Sequence, residues 1–229
     1  MLEVNQLNVA YRESHVIKDV SFSVREQESV AIMGRNGMGK TTLLKALIGM
    51  LPVRSGSIRL NGAELSGQRG YARVRHGLAF VPQGRMIFPM LTVEQNILTG
   101  TETSGHRMVP GYIYRCFPVL EEMRHRRGGN LSGGQQQMLA IARALVSDPK
   151  VLILDEPTEG IQPSIIKDIA RTLNVLRKER SFAIVVSEQV LSFALDLADR
   201  FLVIDGGRIV HEAPRDNLDQ EKVRSFLTV

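Results

Sequence analysis

Short apolar runs recur along the chain, and segments with helical spacing separate each run from the next. These runs are almost uniformly apolar, as expected of strands that are buried on both faces of a parallel sheet. They lie at Ser29–Met33, Leu78–Val81, Val151–Asp155, Phe182–Ser187 and Phe201–Ile204. Their alternation with helical patterns predicts an α/β fold, a mainly parallel sheet covered by helices.

The two ends of the chain have a different pattern. Leu2–Ala10 and Val20–Val24 alternate between apolar and polar residues, which favours antiparallel strands, so we predict a mixed sheet with an antiparallel β subdomain at the N-terminal end. Near the other end, Gly206-Gly207 predicts a tight turn, followed by a strand at Arg208–Glu212 and a final helix ending near Val229.

The middle of the chain predicts a small helical subdomain, roughly residues 92–147, inside one domain that spans residues 1–229. Thr92-Val93-Glu94-Gln95 has the pattern of a helix capping box, and a second helical run lies around Tyr112–Met123. Since no low-complexity segment divides the chain, we expect a single folding unit.

Composition narrows the classes of protein. No apolar run approaches the roughly 20 residues of a membrane-spanning helix, and the first residues lack the pattern of a secretory signal, so we expect a cytoplasmic protein. One cysteine, Cys116, excludes an internal disulfide. The net charge of +5 is consistent with a protein that binds nucleic acid. We expect no nucleic-acid partner, because the clusters of basic residues at 69–76 and 124–127 contain few aromatic residues.

A phosphate-binding pattern gives the sharpest indication of chemistry. Gly34-Arg35-Asn36-Gly37-Met38-Gly39-Lys40-Thr41 matches G-x-x-x-x-G-K-[ST] between an apolar strand and a helical run at Thr42–Gly49. Glycines let backbone N–H groups surround phosphates, and the helix N-terminus adds its positive dipole end. We expect Lys40 to contact the β- and γ-phosphates and the Thr41 hydroxyl to bind Mg²⁺.

Two further patterns are weaker when taken alone. Asp155 and Glu156 end an apolar strand at the sheet edge where α/β proteins bind ligands, so Asp155 is a candidate for holding Mg²⁺ and Glu156 for accepting a proton from the attacking water. The segment Leu131-Ser132-Gly133-Gly134-Gln135 precedes a helical run. A capping box from Ser132 to Gln135 explains part of this pattern. The two glycines are unfavourable in a helix, however, and indicate a contact between the backbone and an anion.

Together these motifs resemble the nucleotide-binding subunits of ATP-binding cassette (ABC) transporters, which belong to the P-loop NTPases, over essentially the whole chain. In that family Gly34–Thr41 corresponds to Walker A, Leu131–Gln135 to the signature and Val151–Glu156 to Walker B. The resemblance implies ATP and Mg²⁺ as cofactors. It adds Tyr11, which stacks on adenine, and Gln83, which meets Mg²⁺ and the attacking water; Gly34, Asn36, Gly37, Gly39 and Thr42 join the nucleotide site.

The sequence departs from the family pattern in two places. Gln189 stands where the family usually has a switch histidine, and an amide donates a hydrogen bond to a γ-phosphate but does not carry a proton. Glu159-Gly160-Ile161-Gln162 replaces the usual Ser-Ala-Leu-Asp. Both departures resemble the second ATPase of branched-chain amino acid uptake systems, and the segment from Pro157 to Pro163 is most similar to the urea-uptake version.

The resemblance also implies partners and a place in the cell. Ser132, Gly133, Gly134 and Gln135 of one subunit would face the γ-phosphate bound by a second ATPase subunit, either a copy or a related chain. Two membrane permease subunits would dock on the segment after Gln83 and on the helical insert. The apolar residues of that segment are candidates for this contact and, as a stripe, equally for core packing: Met86, Ile87, Phe88, Met90 and Leu91. An extracytoplasmic solute-binding protein would act indirectly, and the chain would lie on the cytoplasmic face of the inner membrane.

The main alternative is a soluble ABC ATPase that acts on nucleic acid in repair or chromosome organisation. That class has a long coiled-coil insertion between Walker A and the signature. The interval between Lys40 and Leu131 is short and contains no sustained heptad repeat, so the sequence favours the transporter subunit.

Overall fold

A computed structural model describes residues 1–227, which contain two β-sheets. The first is antiparallel, with strand order β2-β1-β4-β5. Its strands are β1 (Leu2–Tyr11), β2 (Ser14–Val24), β4 (Ser55–Leu60) and β5 (Ala63–Glu64). The N-terminal residues therefore form the predicted antiparallel unit, but as a separate sheet and not as one end of the parallel sheet.

The second sheet has six strands in the order β10-β9-β3-β8-β7-β6. They are β3 (Ser29–Met33), β6 (Leu78–Val81), β7 (Val151–Asp155), β8 (Ala183–Glu188), β9 (Arg200–Asp205) and β10 (Arg208–Pro214). All neighbouring strands are parallel except β9 and β10, which are antiparallel. The sheet is therefore mixed, with its one antiparallel pair on the side where β10 is the outermost strand. Strands β3, β7 and β8 are buried throughout, which explains their uniformly apolar sequences.

Nine α-helices lie within the described residues. They are α1 (Lys40–Leu47), α2 (Gly70–Arg75), α3 (Val93–Leu98), α4 (Gly111–Cys116), α5 (Pro118–Glu122), α6 (Gly133–Leu145), α7 (Pro163–Glu179), α8 (Leu191–Leu197) and α9 (Gln220–Leu227). Two short 3-10 helices cover Gly128–Asn130 and Arg215–Asn217. The last helix is present as predicted up to Leu227, and its expected end near Val229 lies outside the described residues.

Helices α3 to α6 occupy the range for which a helical subdomain is predicted; that division of the chain stays a prediction. Both α3 and α6 begin with a capping box, at Thr92 and Ser132 respectively. The continuous helix expected around 112–123 is interrupted at Phe117, which has φ and ψ of −132° and 72°. Pro118 explains the break, because a proline disfavours helical conformation in the residue before it.

Apolar clusters pack on both faces of the six-stranded sheet. One joins that sheet to the antiparallel sheet and α1, and the other joins it to α6, α7 and α8. This burial fixes the strands in register, so the carboxyl ends of β3, β6, β7 and β8 lie along one edge. The loops that follow these four strands carry most of the predicted functional residues.

Candidate active site

Gly34–Thr41 comprises the loop between β3 and α1 and the first two residues of α1, and the glycines of the loop are required by geometry. Gly37 and Gly39 have φ of 81° and 109°, a region that side chains rarely adopt. A Cβ on Gly34 would lie 2.5 Å from the carbonyl oxygen of Ile204, and one on Gly39 would lie 2.8 Å from Ile17 Cδ1. The loop therefore brings bare backbone to the N-terminus of α1, an arrangement that fits phosphate groups.

Lys40 is the buried cation of this loop, with 4% of its surface exposed. Its Nζ donates to the carbonyl oxygens of Gly34 and Arg35 at 2.8 and 3.1 Å. The same atom lies 3.1 Å from Glu156 Oε1, which makes an ion pair between the phosphate-binding loop and the acids that follow β7. The ammonium group is thus fixed where the loop and the start of α1 meet.

Asp155 ends β7 and is 2% exposed. Its Oδ1 accepts hydrogen bonds from Thr41 Oγ1 at 3.0 Å and from Ser187 Oγ at 2.6 Å. Burial raises the pKa of this carboxyl, and the two hydroxyl donors act in the opposite direction. A carboxylate beside a threonine hydroxyl supplies the hard oxygen atoms that Mg²⁺ prefers, so these residues fit the predicted metal.

Glu156 turns out of the strand into the cleft. Its φ of 44° lies in the left-handed region, which is unfavourable for a non-glycine residue and often marks functional positions. Its backbone N–H donates to the carbonyl and hydroxyl oxygens of Ser187, at 3.1 and 3.2 Å. Neighbouring strands therefore fix the turn that aims this carboxylate away from the sheet.

Two glutamine amides contact the Glu156 carboxylate from different loops. Gln83, which follows β6, donates from Nε2 to Glu156 Oε2 at 3.3 Å and to Glu159 Oε2 at 3.1 Å. Gln189, which follows β8, donates to Glu156 Oε1 at 3.0 Å and to Asn36 Oδ1 at 2.7 Å. Four loops thus meet at one carboxylate.

These contacts surround a cleft of about 240 Å³. Its walls include predicted residues from the phosphate-binding loop and from the loops after β6 and β7: Asn36, Gly37, Gly39, Lys40, Thr41, Thr42, Gln83 and Glu156. Val16 of β2 also lines the cleft and was missed by the sequence analysis. Tyr11 lies outside this lining, at the end of β1, and is 45% exposed; its contact with adenine stays a prediction.

The predicted signature residues lie at the start of α6 and do not line this cleft. Gln135 N donates to Ser132 Oγ at 3.4 Å, and Ser132 N donates to Gln135 Oε1 at 2.9 Å. A Cβ on Gly134 would lie 2.6 Å from Ile165 Cδ1, so packing of α6 against α7 by itself requires this glycine. Gly133 is half-buried, and a Cβ added to it would lie 3.3 Å from the Arg85 guanidinium.

Sequence reasoning missed Ser187, Glu159 and Glu188 as contributors to the site. Ser187 supports both Asp155 and Glu156, Glu159 contacts Gln83, and Glu188 accepts hydrogen bonds from the loop that follows Glu156. Polar residues that end the apolar strand β8 were a signal for Ser187 and Glu188. Glu159 gave no such signal, because its contact depends on how two loops fold towards each other.

Two negative findings concern residues 1–227. Over this range no group of three or more His, Cys, Asp or Glu side chains is placed to hold a metal ion. Helices long and apolar enough to cross a bilayer are likewise absent from this part of the chain. A metal held here would take oxygen ligands from Asp155 and Thr41 together with those of a bound nucleotide, as Mg²⁺ commonly does.

Comparisons with known proteins agree with this geometry. The model of the protein family described as "ABC transporter" matches residues 17–159. The high-affinity branched-chain amino acid transport ATP-binding protein BraG of Pseudomonas aeruginosa is 41% identical and covers 98% of this chain and 97% of its own length. The probable branched-chain amino acid transport ATP-binding protein LivF of Archaeoglobus fulgidus is 35% identical, over 95% of this chain and 94% of its own.

A solved structure of an ATP-binding subunit of an ABC transporter superposes with a TM-score of 0.85, at 28% identity over 100% of both chains. The predicted fold class is therefore confirmed, and the soluble nucleic-acid alternative is not favoured. Proteins of this kind bind ATP and work with other subunits in membrane transporters. The chain belongs to the ABC transporter family, as one of its ATP-binding ATPase subunits.

Proposed function

We propose that this chain hydrolyses ATP in the cleft around Lys40 and thereby drives uptake of a branched-chain amino acid or urea through separate permease subunits. The observation that carries the proposal is the position of the Glu156 carboxylate. It contacts Lys40, Gln83 and Gln189, so a cation for phosphate, a proton acceptor and two orienting amides meet at one point.

Lys40 and the backbone of Gly34–Thr41 would bind the triphosphate of ATP, with Asn36 and Thr42 beside them. The positive end of the α1 dipole favours anions at this loop. A bound phosphate would compete with Glu156 for the Lys40 ammonium, which lies 3.1 Å from Glu156 Oε1. Nucleotide binding would thereby release the Glu156 carboxylate from its ion pair with Lys40.

Thr41, Asp155 and Gln83 are the residues that would hold Mg²⁺. When bound, this ion neutralises charge on the β- and γ-phosphates. The hydrogen bonds from Thr41 and Ser187 favour the ionised form of Asp155, which opposes the burial that raises its pKa. A bound cation would favour the ionised form of Asp155 further.

In hydrolysis, Glu156 accepts a proton from the attacking water, and the Gln83 amide orients that water. A bond forms between the water oxygen and the γ-phosphorus while the bond from phosphorus to the bridging oxygen breaks, and the electron pair leaves with ADP. Gln189 donates a hydrogen bond to a γ-phosphate oxygen, and Tyr11 stacks on the adenine. The proton then passes from Glu156 to the released phosphate or to solvent.

A second ATPase subunit would complete each site. Ser132, Gly133, Gly134 and Gln135 do not line the cleft of their own chain, yet Ser132 and Gly133 begin a helix of 13 residues whose N-terminus favours an anion. We infer that this helix start faces the γ-phosphate bound by a partner, which is a second copy or a related ATPase. Binding of ATP closes the pair and hydrolysis separates it.

Permease subunits would dock on a groove of about 470 Å³ beside the cleft. The groove is lined by apolar residues that include Phe80, Met86 and Phe88, and the last two are 65% and 48% exposed. Exposed apolar residues grouped in a groove are typical of a protein interface. Docking there would hold the chain on the cytoplasmic face of the inner membrane, with an extracytoplasmic solute-binding protein acting indirectly and no nucleic-acid partner.

The relatives support a branched-chain amino acid as the solute, since both BraG and LivF carry that substrate in their names. Urea remains the second candidate because of the segment from Pro157 to Pro163. The chain does not contact the solute itself, so the choice depends on its permease and binding protein.

The test is co-purification with the membrane subunits, followed by reconstitution in liposomes with each solute-binding protein. We expect ATP turnover to rise when the matching protein and leucine, isoleucine, valine or urea are added together, and not to rise in a matched Lys40→Ala complex. If none of these solutes raises ATP turnover, the substrate assignment is contradicted. If the wild-type complex does not hydrolyse ATP, the proposed activity is contradicted.

A further inference from the structure

Glu188 is a buried acid that the proposed hydrolysis step does not use. It is the last residue of β8 and is 1% exposed. Its Oε1 accepts hydrogen bonds from the Thr158 backbone N–H at 3.2 Å and the Thr158 hydroxyl at 2.8 Å. Its Oε2 accepts from the backbone N–H groups of Gln189 and Val190, at 3.0 and 3.1 Å.

The donors to Glu188 are all neutral groups. Burying a carboxylate is costly unless its charge is compensated, and burial raises the pKa of this carboxyl. An ionised carboxylate is nevertheless suited to the position, because each of its two oxygens accepts two hydrogen bonds. A glutamine has one acceptor oxygen and would leave donors on one side without a partner.

The two loops that Glu188 joins both carry residues of the proposed hydrolysis step. Thr158 lies two residues after Glu156, and Gln189 directly follows Glu188. Gln189 Nε2 donates to Glu156 Oε1 at 3.0 Å. The loops are therefore linked twice, once by this contact between Glu156 and Gln189 and once by the buried carboxylate of Glu188.

We propose that Glu188 is a positioning residue that makes the loop after β7 and the loop after β8 move as one unit. A contact between Gln189 and phosphate is then transmitted to Thr158 and the residues that follow it. This inference rests on the proposed role of Gln189 at the γ-phosphate. It assigns Glu188 no contact with nucleotide, so substitution should change kcat more than ATP affinity.

The test compares Glu188→Gln with the wild type in the reconstituted complex. We expect kcat to fall about 10- to 100-fold, since several buried hydrogen bonds are lost or distorted, while the Kd for ATP changes by less than about threefold. The matched control is Asp199→Asn, just before β9. Asp199 accepts hydrogen bonds from Ser29 N–H and the Arg177 guanidinium, both at 2.9 Å, away from the cleft. It should lower the Tm without this loss of kcat.

A double-mutant cycle distinguishes positioning from general structural damage. If Glu188 acts through Gln189, the Glu188→Gln change should reduce kcat by less than about twofold once Gln189→Ala is present. Equal losses in both backgrounds, or unchanged kcat in Glu188→Gln, would overturn the inference. If Glu188→Gln does not fold, the pair Thr158→Val and Thr158→Ser decides the matter, because only the serine keeps the hydroxyl donor and should retain the higher kcat.

The outcomes separate this inference from the proposed function. A wild-type complex that hydrolyses ATP, together with Glu188→Gln at wild-type turnover, rejects the positioning role alone. A Gln189→Ala variant with wild-type turnover rejects the proposed role of Gln189 and this inference with it, whereas a wild-type complex without ATP hydrolysis rejects the proposed function.

Discussion

The cleft around Lys40 and the start of α6 are both predicted to bind phosphate, but they are built in different ways. In the cleft, side chains from four loops contact one another, and the ion pair between Lys40 and Glu156 lies at the centre. At the start of α6, the hydrogen bonds of Ser132 and Gln135 stay within their own capping box. In the cleft, hydrogen bonds and an ion pair join residues from distant parts of the chain. At the start of α6, the hydrogen bonds are local and the helix N-terminus is left available to a ligand.

This difference indicates a division of labour. A network whose members fix one another is pre-organised for chemistry and depends on each side chain. A capped helix end is maintained by local hydrogen bonds and contributes only when a ligand is brought to it. Substitutions in the cleft should therefore affect each subunit by itself, while substitutions at the helix start should act on the site of a partner.

The largest effect is expected for Glu156→Gln. Loss of the proton acceptor should lower kcat by about 10²- to 10⁴-fold, and ATP binding should persist because Lys40 and the glycine loop are unchanged. Phosphate release and equilibrium nucleotide binding measure the two quantities. Glu159→Gln is the matched control, since this carboxylate also contacts Gln83 but makes no ion pair with Lys40; its loss should stay below about tenfold.

Next in size is the contrast between the two capping boxes. Ser132→Ala and Thr92→Ala remove equivalent cap hydrogen bonds and should each lower the free energy of unfolding by about 1 kcal/mol. Only Ser132→Ala should also reduce ATP turnover, by about 10²-fold, because a stabilising donor is lost at the γ-phosphate. Chemical denaturation and turnover are measured on both variants, and equal turnover in the two would contradict the role of α6.

Mixing variants shows whether that role crosses between subunits. Lys40→Ala and Ser132→Ala chains are each expected to be nearly inactive, yet a mixed dimer contains one site with an intact Lys40 facing an intact Ser132. Mixed samples should therefore recover a measurable share of turnover as the ratio of the chains is varied. No recovery at any ratio would contradict a role of Ser132 in the site of the partner.

A smaller effect is expected for Ser187→Ala, which tests the hydrogen bonds that join neighbouring strands at the cleft. The variant removes the hydroxyl that lies 2.6 Å from Asp155 Oδ1 and leaves a buried carboxylate with one donor fewer. The free energy of unfolding should fall by about 1–3 kcal/mol, and the Mg²⁺ concentration for half-maximal turnover should rise. Ser29→Ala, a buried hydroxyl at the opposite end of the sheet, is the control and should not alter the Mg²⁺ requirement.

The smallest effects concern pH, and they have opposite signs in two regions. Burial raises the pKa of Glu188, so the folded state keeps its proton to higher pH than the unfolded state, and stability falls as pH rises from about 4.5 to the raised pKa. Ser66 lowers the pKa of Glu64 to about 2, so that contribution is present above the ordinary pKa and is lost as pH falls towards 2.

Melting curves across pH separate these two contributions. Glu188→Gln should flatten the loss of stability on the alkaline side of pH 4.5, and Glu64→Gln should flatten the loss at acidic pH, by a smaller amount because Glu64 lies in a solvent-exposed part of the antiparallel sheet. A Glu188→Gln variant with the wild-type slope would contradict the raised pKa.

The sequence predicts local features of the site better than features that depend on tertiary contact. The glycine loop, the acids that end β7 and both capping boxes follow from short patterns with a direct physical meaning. The contact of Ser187 with Asp155 joins residues 32 positions apart, so the short pattern marks a polar residue at the end of β8 but does not identify its partner. The break in the helix at Phe117 could have been predicted from Pro118. The separation of the N-terminal strands into their own sheet could not, because it depends on long-range packing.

The segment from Gln83 to Phe88 has a consequence for how signals travel. Its first residue contacts the carboxylate that is proposed to accept the proton, and its last residue lines the apolar groove. Only four residues lie between them, so the main chain connects the two places by a short covalent path. A partner bound in the groove would therefore sense the chemical step through main-chain displacement, with no need for a longer route through the protein interior.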